Sequence, residues 1–361
     1  MAGTAEQRDA RAFVIDTVVV AVTQLILRLR GLILLPLLVG LLGTAAYGVW
    51  AQIVAFAMFL SAFVSLNFHL PLVREIAEDR SRAASHYTTL LIATVLISAA
   101  VAGAIALVPG PIAATLLDSA DQSSFIQLGL VLMVSSNVRI LNVNLYRATG
   151  RLMIRSVVEL AAALGELGGT VIVLYEGGTL HDVLVFMAAW NGGIAVAQSI
   201  HCFRVAGVAS PQMKIVKDAL IYSAPLVPAS LANIALDRMD RFVVGHYFGT
   251  EGVGIYAANY AIGGLVMMVQ TPFQMTLLPK VSELWHRDRE RAARYIQISL
   301  AVFMALAVPF VVGVPIIADR ILLVIGNEKI AADAGWSTFF IAAGVMLWGA
   351  AVMHAQVFYG A

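Results

Sequence analysis

Two apolar stretches, Leu90 to Leu117 and Ile296 to Ile325, each run longer than the roughly 20 residues a helix needs to cross hydrocarbon. A chain built from such runs must satisfy its backbone hydrogen bonds internally, which leaves helices or a closed barrel. Strand-period alternation is absent, so helices are expected and a barrel is not. The composition agrees: 60% of residues are hydrophobic and 12% charged, against about 45–50% and 25% in soluble domains.

The pattern predicts ten helices, at 13–41, 46–70, 86–117, 123–145, 153–175, 180–202, 217–245, 254–278, 295–325 and 334–358. Their connections alternate in charge. One set carries Arg8 and Arg11, then Arg74, Arg80 and Arg82, then Arg147, Arg151 and Arg155, then Arg204, Lys214 and Lys217, and last Lys280, Arg287, Arg289, Arg291 and Arg294. The other set carries only Lys329. Basic residues stay in the cytoplasm, so the expected protein is a multi-pass component of the inner (cytoplasmic) cell membrane with its N-terminus inside. The polar start, Met1 to Arg11, and the arginines Arg28 and Arg30 that follow do not make a cleavable signal peptide.

The chain also repeats itself. Gly43-Thr44-Ala45-Ala46-Tyr47-Gly48 returns as Gly249-Thr250-Glu251-Gly252-Val253-Gly254, and Pro71, Val73 and Glu75 are answered by Pro279, Val281 and Glu283. Six helices in the first repeat mean that the second enters the membrane in the same direction. The expected fold is therefore all-α and integral to the membrane, two parallel-repeat bundles related by a pseudo-twofold axis along the membrane normal. The expected domains are a first bundle at 1–206, a cytoplasmic linker at 207–216 containing Gly207, Ser210 and Pro211, and a second bundle at 217–361. By repeat arithmetic the second bundle is incomplete: four helices are present and two more, about 50–60 residues, are expected after Ala361.

Asp237-Arg238 through Phe242, then Gly245, Phe248-Gly249, Gly254-Ile255-Tyr256 and Pro279, resemble the start of the second half of the polysaccharide exporters and Wzx-type O-antigen flippases of the multidrug/oligosaccharidyl-lipid/polysaccharide exporter superfamily. Tyr47-Gly48 with Arg74-Glu75 resembles the matching part of the first half. The resemblance runs through nearly the whole chain and is better at identifying fold than substrate. It implies two bundles that flip an undecaprenyl-pyrophosphate-linked oligosaccharide, in lipopolysaccharide or exopolysaccharide biosynthesis, from the cytoplasmic to the outer leaflet by alternating access.

An anionic diphosphate and a polar glycan cannot enter hydrocarbon unaided, so such a flippase needs a wet cleft lined with cations and hydrogen-bonding groups. Candidates for substrate contact are Arg28, Arg30, Asn137, Arg139, Asn233, Asn259 and Gln270. Arginine suits a diphosphate because its fork donates two parallel hydrogen bonds. Each of these side chains could instead pair with a neighbour for packing, or bridge helices, as could Asn142, Asn144 and Gln274. Asp237, Arg238, Asp240 and Arg241 form a cluster that is either a gate or coupling site, or self-neutralising through Asp237 and Arg241 four residues apart. Glu159 and Glu166, seven apart, share a helix face, and Glu166 is deep enough to carry a proton or to be a packing group. Pro36, Pro225 and Pro228 supply bends, moving or static.

Enzymatic chemistry is not expected. No Gly-x-x-x-x-Gly-Lys loop or His-Glu-x-x-His pair occurs, and the seven histidines are scattered, so no metal site or cofactor is expected. A coupling ion, sodium or proton, or the membrane potential would drive transport. Cys202 is the lone cysteine and has no disulfide partner in the chain. The basic run from Arg287 to Arg294 is interleaved with Asp288 and Glu290, which reads as a solvated loop rather than a nucleic-acid site. Expected partners are the lipid-linked oligosaccharide, the bilayer, and a polysaccharide polymerase and glycosyltransferases. The alternatives are a cation-coupled small-molecule exporter of the same fold, which intramembrane arginines oppose, or a membrane polymerase or scaffold of glycan synthesis.

Overall fold

The computed structural model describes Thr23, Ile26 and residues 30–285, 288–332 and 334–360. Helix α1 (Arg30–Leu42) is followed by α2 (Thr44–Val64), α3 (His69–Glu78), α4 (Ala83–Ala106), α5 (Pro109–Leu117), α6 (Ser123–Ala148) and α7 (Leu152–Tyr175). The chain continues through α8 (Leu180–Ala206), α9 (Met213–Ser223), α10 (Val227–Gly263), α11 (Val266–Trp285), α12 (Arg289–Ile325), α13 (Glu328–Ala331) and α14 (Ala334–Gly360). No strand occurs among the described residues. Eight described segments are long and apolar enough to cross a membrane; that from Met213 to Gln270 has 58 residues, enough for more than one crossing. Large apolar side chains point outward, as at Ile316 (72% exposed) and Val324 (84%). Helices apolar on their outer surface belong in lipid, so the chain is a multi-pass membrane protein.

The glycines that open the repeated motif do the same job in both copies. Gly43 (φ 90°) separates α1 from α2, and Gly249 (φ 64°, ψ −173°) turns the chain within α10. Both lie in the left-handed region, where a Cβ is disfavoured.

Several expected helices are interrupted. The one at 46–70 breaks after Val64, where Leu66 and Asn67 both take left-handed backbone (φ 47° and 55°). This is tolerable for Asn and adverse for Leu. The Asn67 amide and the Ser230 hydroxyl hold the break by hydrogen bonding at 2.9 and 3.2 Å. The helix at 86–117 divides into α4 and α5 because Pro109 pushes Val108 (φ −134°, ψ 51°) out of the helical region. Pro225 likewise sits in the 3₁₀ turn Ala224–Leu226 that parts α9 from α10. The 254–278 helix is interrupted at 264–265, between α10 and α11. Of the helix expected at 13–41, most of the part before Arg30 lies outside the described residues.

The described chain forms two compact units, one built on Ala45–Val253 with Arg30, the other on Gly31–Thr44 with the chain from Gly254 onward. Packing thus groups 217–253 with the first unit and 31–44 with the second, whereas the domains expected from the repeat group residues by sequence equivalence. Residues 207–212, between α8 and α9, are non-helical.

In the first unit α6 is central, packed by α3, α4, α7 and α8. Its core includes the fully buried Tyr87 and Tyr146 with Phe68, Leu72 and Leu145. In the second, α11, α12 and α14 pack on one another around Phe303, Val281 and Ala342.

Candidate functional site

Four helices of the first unit each present a stripe at helical spacing to one cavity of about 340 Å³. Helix α6 supplies Leu132, Ser136 and Arg139, and α7 supplies Glu159, Ala163 and Glu166. Helix α8 adds Met187 and Asn191, α2 adds Ala57 and Met58, and Arg30 completes the lining. The Glu159 and Glu166 stripe is the face expected from their spacing of seven.

Close contact between α7 and α8 sets the register. Trp190 packs over Gly165, its Nε1 donating to the Ala162 carbonyl at 2.9 Å. Phe186, stacked on Trp190 at 6.1 Å, packs over Gly169 one turn along. Glu166 follows Gly165 and Asn191 follows Trp190, so this interlock brings the two polar side chains together. At the N-terminus of α8, Thr179 and Asp182 form a reciprocal capping box that satisfies otherwise unpaired amides.

The polar groups form one chain. Arg30 Nη1 lies 3.1 Å from Glu166 Oε1, and Asn191 Nδ2 donates to Glu166 Oε2 at 3.0 Å. Asn191 Oδ1 in turn accepts from Arg139 Nη1. Glu166 is only 4% exposed, so its charge depends on these partners. Glu159 is held by Arg155 at 3.2 Å. Among the described residues Arg139 therefore has an amide partner and no carboxylate within ion-pair distance, and its Nε is buried without a hydrogen-bond partner. The lining holds two guanidiniums and two carboxylates, but Glu159 is taken by Arg155 and Glu166 by Arg30, which leaves Arg139 with an uncompensated charge and an unsaturated donor. An anion carrying several acceptor oxygens would fill both deficits.

Of the candidates from sequence, Arg30, Arg139 and Glu166 come together here, while Arg28 and the side chain of Gln274 lie outside the described residues. Asn137 bridges helices instead: it accepts from Ser61 Oγ and donates to Ser98 Oγ at 3.0 Å. Asn142 does likewise, accepting from Tyr87 at 2.7 Å and donating to Ser199 at 3.0 Å. Asn144 is bonded to its own helix at Ile140 O, and exposed Asn233 to Ala229 O. In the second unit Asn259 is fully buried and accepts from Thr338 Oγ1 at 3.0 Å, and Gln270 is buried beside Gly349.

The charges on α10 include pairs between sequence neighbours. Arg238 Nε lies 2.9 Å from Asp237 Oδ2, and Arg241 Nη1 lies 3.6 Å from Asp240 Oδ1. Arg241 does reach back one turn to Asp237, through its main-chain carbonyl at 3.2 Å. Asn191 was not foreseen; the available signal was a single amide beside Trp190 in an otherwise apolar stretch of α8.

Solved structures of similar fold include a multidrug resistance MATE family transporter of the MOP superfamily in an inward-facing conformation: 16% identity, TM-score 0.67, covering 94% of this chain and 84% of that one. Another is the lipid II flippase MurJ in an inward closed conformation, at 12% identity and TM-score 0.73, covering 94% and 75%. A third is a MOP superfamily transporter from Pyrococcus furiosus, at 12% identity and TM-score 0.60, covering 96% and 83%. At these identities the likeness is one of fold. Among individually curated proteins no relative is detected. The family model described as polysaccharide biosynthesis protein matches residues 13–285, and with it the chain belongs to that family of all-helical membrane proteins.

Proposed function

We propose that this protein is a flippase of polysaccharide biosynthesis that moves an undecaprenyl-pyrophosphate-linked oligosaccharide from the cytoplasmic to the outer leaflet of the inner membrane, its N-terminus in the cytoplasm. The observation that carries this reading is Arg139, a part-buried arginine that lines a cavity within the membrane-spanning helices and whose Nε is buried without a hydrogen-bond partner. An intramembrane arginine without a carboxylate is expensive to maintain and is expected to face a ligand. A diphosphate supplies charge and oxygens in the geometry a guanidinium fork matches. Family membership and a fold shared with a lipid II flippase support the same class of cargo. The uncompensated Arg139 guanidinium weighs against a cationic cargo. In this reading the protein is a transporter rather than an enzyme, driven by a sodium or proton gradient or by the membrane potential, and it delivers its cargo to a polysaccharide polymerase.

The test is flipping of a fluorescently labelled lipid-linked oligosaccharide in proteoliposomes. Arg139→Lys should retain part of the activity, because charge is kept and the fork is lost, and Arg139→Ala should abolish it at equal reconstitution. Undiminished flipping by Arg139→Ala would overturn the assignment.

A further inference from the structure

A second cavity, of about 430 Å³, lies in the first unit among α3, α4 and α9, at the rim of the membrane-spanning segments. The span containing α4 begins at Arg80, α3 lies outside the candidate spans, and α9 begins at Met213 directly after the non-helical connection. Its volume falls in the small-molecule range of roughly 300–1,000 Å³. The floor is apolar, with Leu90, Ile215 and Ala219 buried, while Ile221 (65% exposed) and Tyr222 form an uncovered rim.

The charges in the lining are unequally committed. Glu75 is taken by Arg82 at 2.8 Å, and His86 Nε2 lies 3.8 Å away. Arg74 stacks over the Tyr222 ring at 5.1 Å and meets Glu78 at 3.1 Å, a pair half-exposed on both sides and so weakly held. Asp218 is exposed and forms no ion pair among the described residues. One cavity thus presents an exchangeable guanidinium, a free carboxylate and an apolar floor beside the starts of two candidate membrane spans.

We infer that this cavity binds a zwitterionic phospholipid with a primary-amine headgroup, a phosphatidylethanolamine. The lipid phosphate would be met by Arg74 and the ammonium by Asp218, with the acyl chains leaving over Ile221 and Tyr222. A purely anionic headgroup would set its charge against Asp218 and Glu75. A choline headgroup has no N–H to donate to the carboxylate. This site shares no residue with the Arg139 cavity, so the inference stands independently of the proposed cargo.

Native mass spectrometry of the full chain, purified with equimolar dioleoyl phosphatidylethanolamine, phosphatidylcholine and phosphatidylglycerol, tests it. The ethanolamine lipid should be retained about tenfold over the choline lipid, the size of one charge-assisted hydrogen bond. Asp218→Asn, a change of the same shape at an exposed position, should erase that preference, and Arg74→Gln should weaken retention of all three lipids. Equal retention of the ethanolamine and choline lipids by the unaltered protein would overturn the inference without any variant. So would stronger retention of phosphatidylglycerol, or a preference that survives Asp218→Asn. Displacement of no lipid by phosphatidylethanolamine, together with saturable binding of a soluble peptide at the same residues, would reassign the cavity to a protein partner and equally refute it.

Discussion

Substituting Gly165 by alanine should unlock the Arg139 cavity without touching a charged residue. A Cβ built there lies 2.1 Å from Trp190 Cζ2 and 2.8 Å from Cη2, whereas carbon atoms are comfortable at about 3.5–4.0 Å. Some 1.5 Å of room is missing by that criterion. Trp190 cannot simply swing aside, because its Nε1 is bonded to Ala162 O at 2.9 Å and its ring is stacked on Phe186. Phe186 is itself lodged against Gly169, where a Cβ would lie 1.9 Å away. Helices α7 and α8 must therefore part, and the 3.0 Å bond between Glu166 and Asn191 stretches beyond hydrogen-bonding range.

Overpacking costs about 1–3 kcal/mol, and losing a hydrogen bond to a charged group about 1.5–3 kcal/mol. Replacing glycine in a helix returns about 1 kcal/mol, so a net loss of about 1.5–5 kcal/mol is expected, about 2–7 °C in a chain of this size. Gly168 is the internal control, since nothing lies within 4 Å of its Cβ position. Gly168→Ala should raise the apparent melting temperature slightly. Fluorescence-detected size-exclusion chromatography after heating reads both variants, and Trp190→Leu added to Gly165→Ala should recover part of the loss. Equal melting temperatures for Gly165→Ala and Gly168→Ala would refute the interlock.

Glu166→Gln leaves Arg30 without its carboxylate; because Arg30 is 31% exposed, the expected loss is about 1–2 kcal/mol rather than the 3–5 of a fully buried pair, and a melting temperature equal to that of the unaltered protein would show that the pair is silent. Thr338→Val strips the buried Asn259 carbonyl of its donor and should destabilise the protein by about 1–2 kcal/mol, whereas an unchanged melting temperature would mean that Asn259 finds another partner. A cysteine at Thr250 should be labelled from outside whole cells and one at Ser282 only after permeabilisation, by the uneven distribution of basic residues; the reverse pattern would invert the topology.

Much of the fold could be read from the sequence, because the forces that set it act locally. Apolar runs of spanning length demand helices whatever their neighbours, and Gly43 and Gly249 mark turns because only a residue without a Cβ takes left-handed backbone cheaply. The shared face of Glu159 and Glu166 follows from helical periodicity alone. Pro225 reads as a bend, whereas the break at Pro109 lies inside a long hydrophobic run that reads as one helix. The break at Leu66 and Asn67 had no comparable signal, since Leu66 is a poor left-handed residue and is held there by tertiary contacts around Asn67 and Ser230.

The cavity is likewise a tertiary product. Arginine inside a span marks Arg30 and Arg139 as exceptional, but not that one would find a carboxylate and the other an amide. Glu166 and Asn191 are 25 residues apart, and Arg139 and Asn191 are 52 apart. Their meeting depends on two aromatic rings seated on two glycines, and no residue's own chemistry specifies which helix will approach closely enough to complete its hydrogen bonds. Sequence determined which groups would be costly in lipid; packing decided which were satisfied and left Arg139 with a donor to spare.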